Sequence, residues 1–335
     1  MSRTAYVVQK GATLRREGEL LHVYVGRKRE AELPTSELRQ LVLMGNVMLT
    51  PGAVDLVLEK KIDTVFLSWH GRYRGRLVGL GSSAVTLRVA QYEALRDPAR
   101  ALQIARAIVR SKIRNQRAFL LRQAREGRDG EALGRACTAM RLTLVRLEGA
   151  VTLDEARGCE GAAAAAYFRV FGKLLVPDGF HFDGRNRRPP MDPVNALLSL
   201  GYTLLANAVE AAVHVVGLDP YLGALHAVEA GRPSLVCDLQ EEFRAPVVDA
   251  LVVAAINRGV VEPGDFEDAG PGEPVLMKPE AVRAFVQVFE RRMARPVLVP
   301  GLGKRLGYRG IVEHQARKLA RALLEGGGYE PFEPK

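Results

Sequence analysis

The hydrophobic period of this chain changes once, and that change constrains the fold more than any other feature of the sequence. Up to about residue 80 the apolar residues come in short runs, Thr4–Val8, Leu20–Val25, Leu41–Leu43, Val47–Leu49 and Thr64–Leu67. These runs are rich in β-branched and aromatic residues and are broken by turn formers, the pattern of strands. From Ala90 onward the apolar residues recur at steps of three and four, the pattern of helices. Strands followed by helices make an α+β protein with segregated parts. We therefore expect a β-rich N-terminal domain over 1–85, a larger all-α C-terminal domain over 90–325, and a frayed tail over 326–335. With 335 residues and 47% hydrophobic content, the chain has enough apolar material for two packed cores.

Local signals refine this picture. Thr50-Pro-Gly-Ala opens a short helix, Ala53–Lys60, inside the β-rich part. Ser68-Trp-His-Gly-Arg-Tyr-Arg-Gly-Arg follows a strand and reads as a hairpin with a cationic, aromatic tip. In the second part, Ala99–Ala124 is the long helix, followed by Glu131–Glu148, Gly161–Leu175, Pro193–Val216, Leu235–Arg258, Pro279–Met293 and Gly310–Leu324. Pro246 is placed to kink or split Leu235–Arg258. Asp178–Pro190 and Glu262–Pro274 are loops.

Net charge is +10, which favours a polyanionic partner. Ten basic residues stand against four acidic ones between Tyr92 and Gly130. That one-sidedness makes Arg110, Arg114 and Arg117 candidate contacts to a phosphate backbone, against the alternative of a merely solvated helix face. Arg72 and Arg74 at the hairpin tip, Arg188, Arg244, and Lys304 with Arg305 in a flexible loop complete the set. Cys137, Cys159 and Cys237 are too few for a disulfide framework and fit a reducing cytoplasm. No signal peptide and no uninterrupted apolar span is legible, so a cytoplasmic protein with no membrane association is expected.

The residues that carry chemistry are Glu160, His226, Asp238 and Glu241. Carboxylates with one imidazole suit Mn²⁺ or Mg²⁺. A divalent cation held by a basic protein points to phosphodiester chemistry on nucleic acid. Asp238 and Glu241 are three apart on one helix and so share a face. Each residue has a plainer reading: Glu160 as a dipole partner in the first turn of the Ala-rich helix, His226 as a core histidine, and Asp238 or Glu241 paired to Arg244. A Zn²⁺ site from Cys159, His226 and Cys237 lacks the spacing of structural zinc sites. Gly301-Leu-Gly-Lys-Arg lacks the spacing of a phosphate loop.

Four strings carry a resemblance: Gly158-Cys-Glu-Gly-Ala-Ala-Ala-Ala-Ala-Tyr-Phe, the segment from Arg188-Pro-Pro-Met-Asp-Pro-Val-Asn to Leu205, Gly217-Leu-Asp-Pro-Tyr-Leu-Gly-Ala-Leu-His, and Ser234-Leu-Val-Cys-Asp-Leu-Gln-Glu-Glu-Phe-Arg. In this order and spacing the chain resembles CRISPR-associated protein number one, the integrase and endonuclease of spacer acquisition. The Phe66–Arg76 segment is also similar. The resemblance implies a homodimer, formed through the N-terminal domain, that assembles with CRISPR-associated protein number two on double-stranded and branched DNA. It implies Mn²⁺ or Mg²⁺ held by Glu160, His226 and Glu241, with Asp238 as a further nearby acid. The implied chemistry is attack of a 3′-hydroxyl of a short duplex on a phosphodiester of the repeat array. A non-enzymatic nucleic-acid scaffold and a repair nuclease are the alternatives.

Overall fold

The computed structural model describes the chain except residues 1–2, 70–72, 78, 80–83, 187–188, 268–269, 271–272, 300–301 and 335. The chain divides into two compact units, Met1–Ser82 and Ser83–Lys335.

The first unit holds two four-stranded sheets. One has the order β1 (Arg3–Val7), β5 (Leu38–Met44), β7 (Asp63–Leu67), β8 (Tyr73–Leu77), with the first three parallel and β8 antiparallel to β7. The other has the order β4 (Lys28–Pro34), β3 (Leu20–Val25), β2 (Ala12–Glu17), β6 (Met48–Leu49), with β2, β3 and β4 antiparallel neighbours. Helix α1 (Pro51–Glu59) lies between β5 and β7 in sequence, the crossover that parallel strands need. Leu14, Leu21 and Val23 of one sheet, Leu41 and Leu43 of the other, and Leu56 and Val57 of α1 form one core.

Strands β2 and β4 went unread in the sequence because they are charged. In Lys28–Pro34 no residue is fully buried, so no apolar alternation marks it. The β7–β8 pairing makes the expected hairpin, but its tip, with Arg72, lies outside the described residues.

The second unit is mostly helical: α2 (Val85–Arg96), α3 (Pro98–Arg125), α4 (Gly130–Glu148), α5 (Leu153–Phe171), α6 (Pro193–Val216), α7 (Ser234–Phe243), α8 (Ala250–Asn257), α9 (Pro279–Ala294) and α10 (Tyr308–Glu325). Two ribbons of two-residue strands, β9 (Phe266–Glu267) with β10 (Leu276–Met277) and β11 (Val297–Leu298) with β12 (Arg305–Leu306), qualify the all-α expectation. Helix α6 is long and apolar enough to cross a bilayer, but 72% of its apolar window is buried inside the protein, so it is a core helix.

Three boundaries differ from the sequence reading, and each has a local cause. Helix α5 begins at Leu153, because Thr152 and Glu155 form a capping box in which each side chain accepts the other's backbone N–H. Glu160 therefore sits in mid-helix, and its reading as a first-turn dipole partner is corrected. Around Pro246, which cannot donate a backbone bond, the helix widens into a π-helical segment, Arg244–Asp249, before α8. The tail does not fray: Tyr329 and Phe332 are 6% and 2% exposed. Phe332 stacks on Phe243 at 5.5 Å, and its carbonyl accepts from Ser111 and Asn115 of α3, each at 2.9 Å.

Candidate metal centre

Helices α3, α5 and α7 each bring one charged side chain to a common point. Glu160 comes from α5 and Glu241 from α7. Both carboxylates pair with the ammonium of Lys112 on α3; the distance from Lys112 Nζ to Glu241 Oε2 is 2.6 Å. Lys112 is 4% exposed and Glu241 2%. Ions this deeply buried persist only when paired, since an unpaired one would lose its hydration without compensation. In the sequence Lys112 is one of the ten basic residues between Tyr92 and Gly130, and it is not singled out there as part of the site. The available signal was its position, since Lys112 falls in step with the buried Ile108, Gln116 and Phe119 of α3.

His226 approaches Glu241 from a loop. Gly217 ends α6 in the left-handed region, φ 95°, and turns the chain into the segment 217–226. Gln91 of α2 holds that segment through the carbonyls of Asp219 and Leu222, both at 2.9 Å. Arg157, one turn before Glu160, donates to the Leu225 carbonyl at 2.7 Å. The His226 Nε2 then stands 4.0 Å from Glu241 Oε1.

Asp238 anchors this loop from behind and is wholly buried. Its Oδ2 accepts the N–H groups of Ala224 and Leu225, at 2.5 and 2.9 Å. Its Oδ1 accepts the N–H of His226 at 2.9 Å and faces His226 Nδ1 at 2.7 Å. Both Asp238 oxygens are taken by the loop backbone and the imidazole, so Asp238 stands here as the anchor of His226, and the expected nearby acid lies behind the cluster. A carboxylate acceptor on Nδ1 fixes the proton there and leaves the Nε2 lone pair directed to the site.

Arg244 is the second cation. It pairs with Glu241 Oε1 at 3.3 Å and lies over the Tyr202 ring at 4.7 Å. It is thus the counter-ion of Glu241 and turns inward to the site. Burial alone would raise the Glu241 carboxyl, but Arg244, Lys112 and His226 outweigh it and hold it at about 2. Beneath Arg244, Asp249 accepts the hydroxyls of Tyr202 and Tyr167, at 2.5 and 2.8 Å. Burial pushes Asp249 up to about 6 despite those bonds.

The cluster is arranged around an ammonium rather than in a ligand geometry. Among the described residues no group of three His, Cys, Asp or Glu side chains stands ready to hold a metal ion, the Cys159–His226–Cys237 combination included. The expected basic face is also partly used within the protein. Arg106 donates to the Glu148 carbonyl and Arg114 pairs with Glu333 at 3.2 Å. Arg110 and Arg117 are half-buried on α3, whereas Lys304 and Arg305 are exposed. Arg74 is exposed and donates to the Gly45 carbonyl at 3.4 Å. Arg188 lies outside the described residues.

A two-sheet unit followed by a helical unit with a Glu–His–Glu cluster defines a class of fold and site, and comparison with known proteins gives the class its name. Residues 5–291 match the family described as CRISPR associated protein Cas1. The CRISPR-associated endonuclease Cas1 3 of Thermus thermophilus is 41% identical over 98% of this chain and 96% of that protein. A Cas6-RT-Cas1–Cas2 complex contains a chain 26% identical to this one, with a TM-score of 0.84; the match covers 100% of this chain and 36% of that much longer one. A casposase bound to integration product shares the fold, with a TM-score of 0.85 at 24% identity over 98% of this chain and 93% of that one. The chain belongs to the Cas1 family.

Proposed function

We propose that this chain is a metal-dependent DNA integrase and endonuclease of CRISPR adaptation, which inserts short DNA duplexes into a repeat array. The observation that carries the reading is the meeting of Glu160 and Glu241 around one buried cation, with His226 Nε2 4.0 Å from the other oxygen of Glu241, in a basic chain. The family relatives named as endonucleases support nuclease chemistry. The casposase caught with its integration product and the Cas1–Cas2 complex support strand joining with a second, small protein as partner. A homodimer formed through the N-terminal unit belongs to the same reading.

The donor set fits Mn²⁺ or Mg²⁺. Glu241 Oε2 is buried, with the Lys112 ammonium as its partner among the described contacts, and the Glu241 carboxyl is ionised throughout the physiological range. Two hard oxygens and one imidazole nitrogen are ligands of the kind such ions take. Bound there, the cation would polarise the attacked phosphodiester as a Lewis acid.

The residues supply placement. Glu160 and Glu241 are fixed on helices, and His226 is fixed through Asp238. The nucleophile is the 3′-hydroxyl of the incoming strand, so the chain need not provide one. Its oxygen forms a bond to phosphorus while the bond from phosphorus to the 3′-oxygen of the target strand breaks. One phosphodiester replaces another, and the hydroxyl proton passes to the departing oxygen by way of solvent. Water in place of the hydroxyl makes the same site an endonuclease. Arg244, paired with Glu241, adds positive charge beside the place where the attacked phosphate gathers negative charge.

The test is incubation of the chain and its small companion with a labelled short duplex, a supercoiled plasmid bearing the repeat, and Mn²⁺. Label should join the plasmid. Glu160→Ala, His226→Ala and Glu241→Ala should abolish joining and leave DNA affinity within about threefold, since phosphate contacts dominate affinity. Joining that survives Glu241→Ala would remove the reading.

A further inference from the structure

Lys112 is a buried cation that the proposed mechanism does not use. Its ammonium is the one group that touches both Glu160 and Glu241 among the contacts described, and it does so from a 4% exposed position in the middle of α3. An ammonium has three donors and no acceptor, so while protonated it cannot ligate a metal. It therefore occupies carboxylate oxygens that a divalent cation would need. Two carboxylates facing one another in a buried place repel unless a cation lies between them. Without Lys112 the remaining positive groups, Arg244 and His226, would lie on the far oxygen of Glu241.

We propose that Lys112 is a built-in placeholder for the divalent cation, holding Glu160 and Glu241 in position in the metal-free protein and competing with the cation for them. The inference rests on the metal reading of the site. It makes metal binding an exchange of one cation for another: the ammonium leaves the carboxylates as the ion enters. Lys112 is thus a positioning residue whose affinity for the carboxylates tunes the metal affinity of the site.

The experiment is a titration of the full chain with Mn²⁺ alone, followed by calorimetry and by the electron paramagnetic resonance signal of free Mn²⁺. Lys112→Met keeps the length and apolar stem of the side chain and removes the competitor, so Mn²⁺ should bind about tenfold more tightly or better. Lys112→Arg keeps a competing cation and should stay within about threefold of wild type. A residue that merely supports the fold would weaken binding when removed. A folded Lys112→Met protein that binds Mn²⁺ no more tightly than wild type overturns the proposal.

Two further measurements keep it testable. Saturable binding in wild type that Glu241→Gln abolishes establishes the metal site independently of Lys112. Its absence in both wild type and Lys112→Met defeats the metal reading and this inference with it. Should Lys112→Met fail to fold, mass spectrometry of wild type after reductive methylation reads the amine directly. Lys112 should be protected in chelator and modified when Mn²⁺ saturates the site, and unchanged protection at saturation overturns the displacement.

Discussion

The carboxylate of Asp238 faces Nδ1 of His226 at 2.7 Å and at the same time accepts the backbone N–H of His226 at 2.9 Å. One buried acid thereby fixes both the loop that carries the imidazole and the face the imidazole presents. The carboxylate that looked like a ligand is instead the group that orients His226.

Asp238→Asn keeps the shape of the side chain but offers only one acceptor oxygen in place of two. We expect Mn²⁺ affinity to fall by about 10- to 100-fold, the usual effect of losing an outer partner of a ligating histidine. Titration of the variant checks this, and wild-type affinity would show that the Nδ1 contact has no part in ligation.

Gly223 permits the close approach on which that anchor depends. A Cβ there would lie 2.6 Å from Asp238 Oδ2 and 2.7 Å from the Ser234 carbonyl carbon. Gly223→Ala should destabilise the chain by roughly 1–3 kcal/mol, as overpacking does, and should remove strand joining by shifting His226. Urea unfolding beside the joining assay checks both, and a fully active Gly223→Ala protein would contradict the geometry.

Asp249 gives a pH dependence with a definite sign. Burial raises its carboxyl to about 6 from an ordinary value of 3.8. Its contribution to stability is therefore complete below the ordinary value and is lost as the pH rises through 6. Asn at this position carries no charge and still bridges the Tyr167 and Tyr202 hydroxyls. The stability of wild type relative to Asp249→Asn should fall by roughly 3 kcal/mol between about pH 4 and about pH 7. Urea titrations of both proteins across that range would reveal a flat difference if the carboxylate were ordinary.

The docked tail should support the helix that carries Glu241. Next to Glu241, the Glu242 carboxyl is raised to about 7 by burial, although the Phe332 N–H, the Tyr329 hydroxyl and the Gln315 amide all donate to it. Truncation after Gly326 strands this acid and removes two buried aromatic rings. We expect a loss of at least about 3 kcal/mol, from the apolar area alone. Thermal unfolding of the truncated chain checks it, and an unchanged midpoint would mean the tail only rests on the surface.

The order of the fold was written in local pattern, because strand and helix periods depend only on near neighbours. The runs at Leu20–Val25 and Thr64–Leu67 appear as strands β3 and β7, and Pro193–Val216 appears as α6 with its own boundaries. Elements without apolar contrast, such as Lys28–Pro34, were illegible for the same reason. Residue type and surrounding string also pointed to Glu160, His226 and Glu241. What those residues touch was decided only in three dimensions. Contacts between distant segments leave no spacing to read: Lys112 meets Glu160 and Glu241 from a third helix, Arg244 turns inward to Glu241, and Phe332 returns to α3 and Phe243. Asp238 and Glu241 are equivalent in the sequence, two acids on one helix face. The loop folding back over Asp238 supplies backbone N–H groups to saturate it, while Glu241 faces the buried cations, and that difference in partners is what divides anchor from candidate ligand.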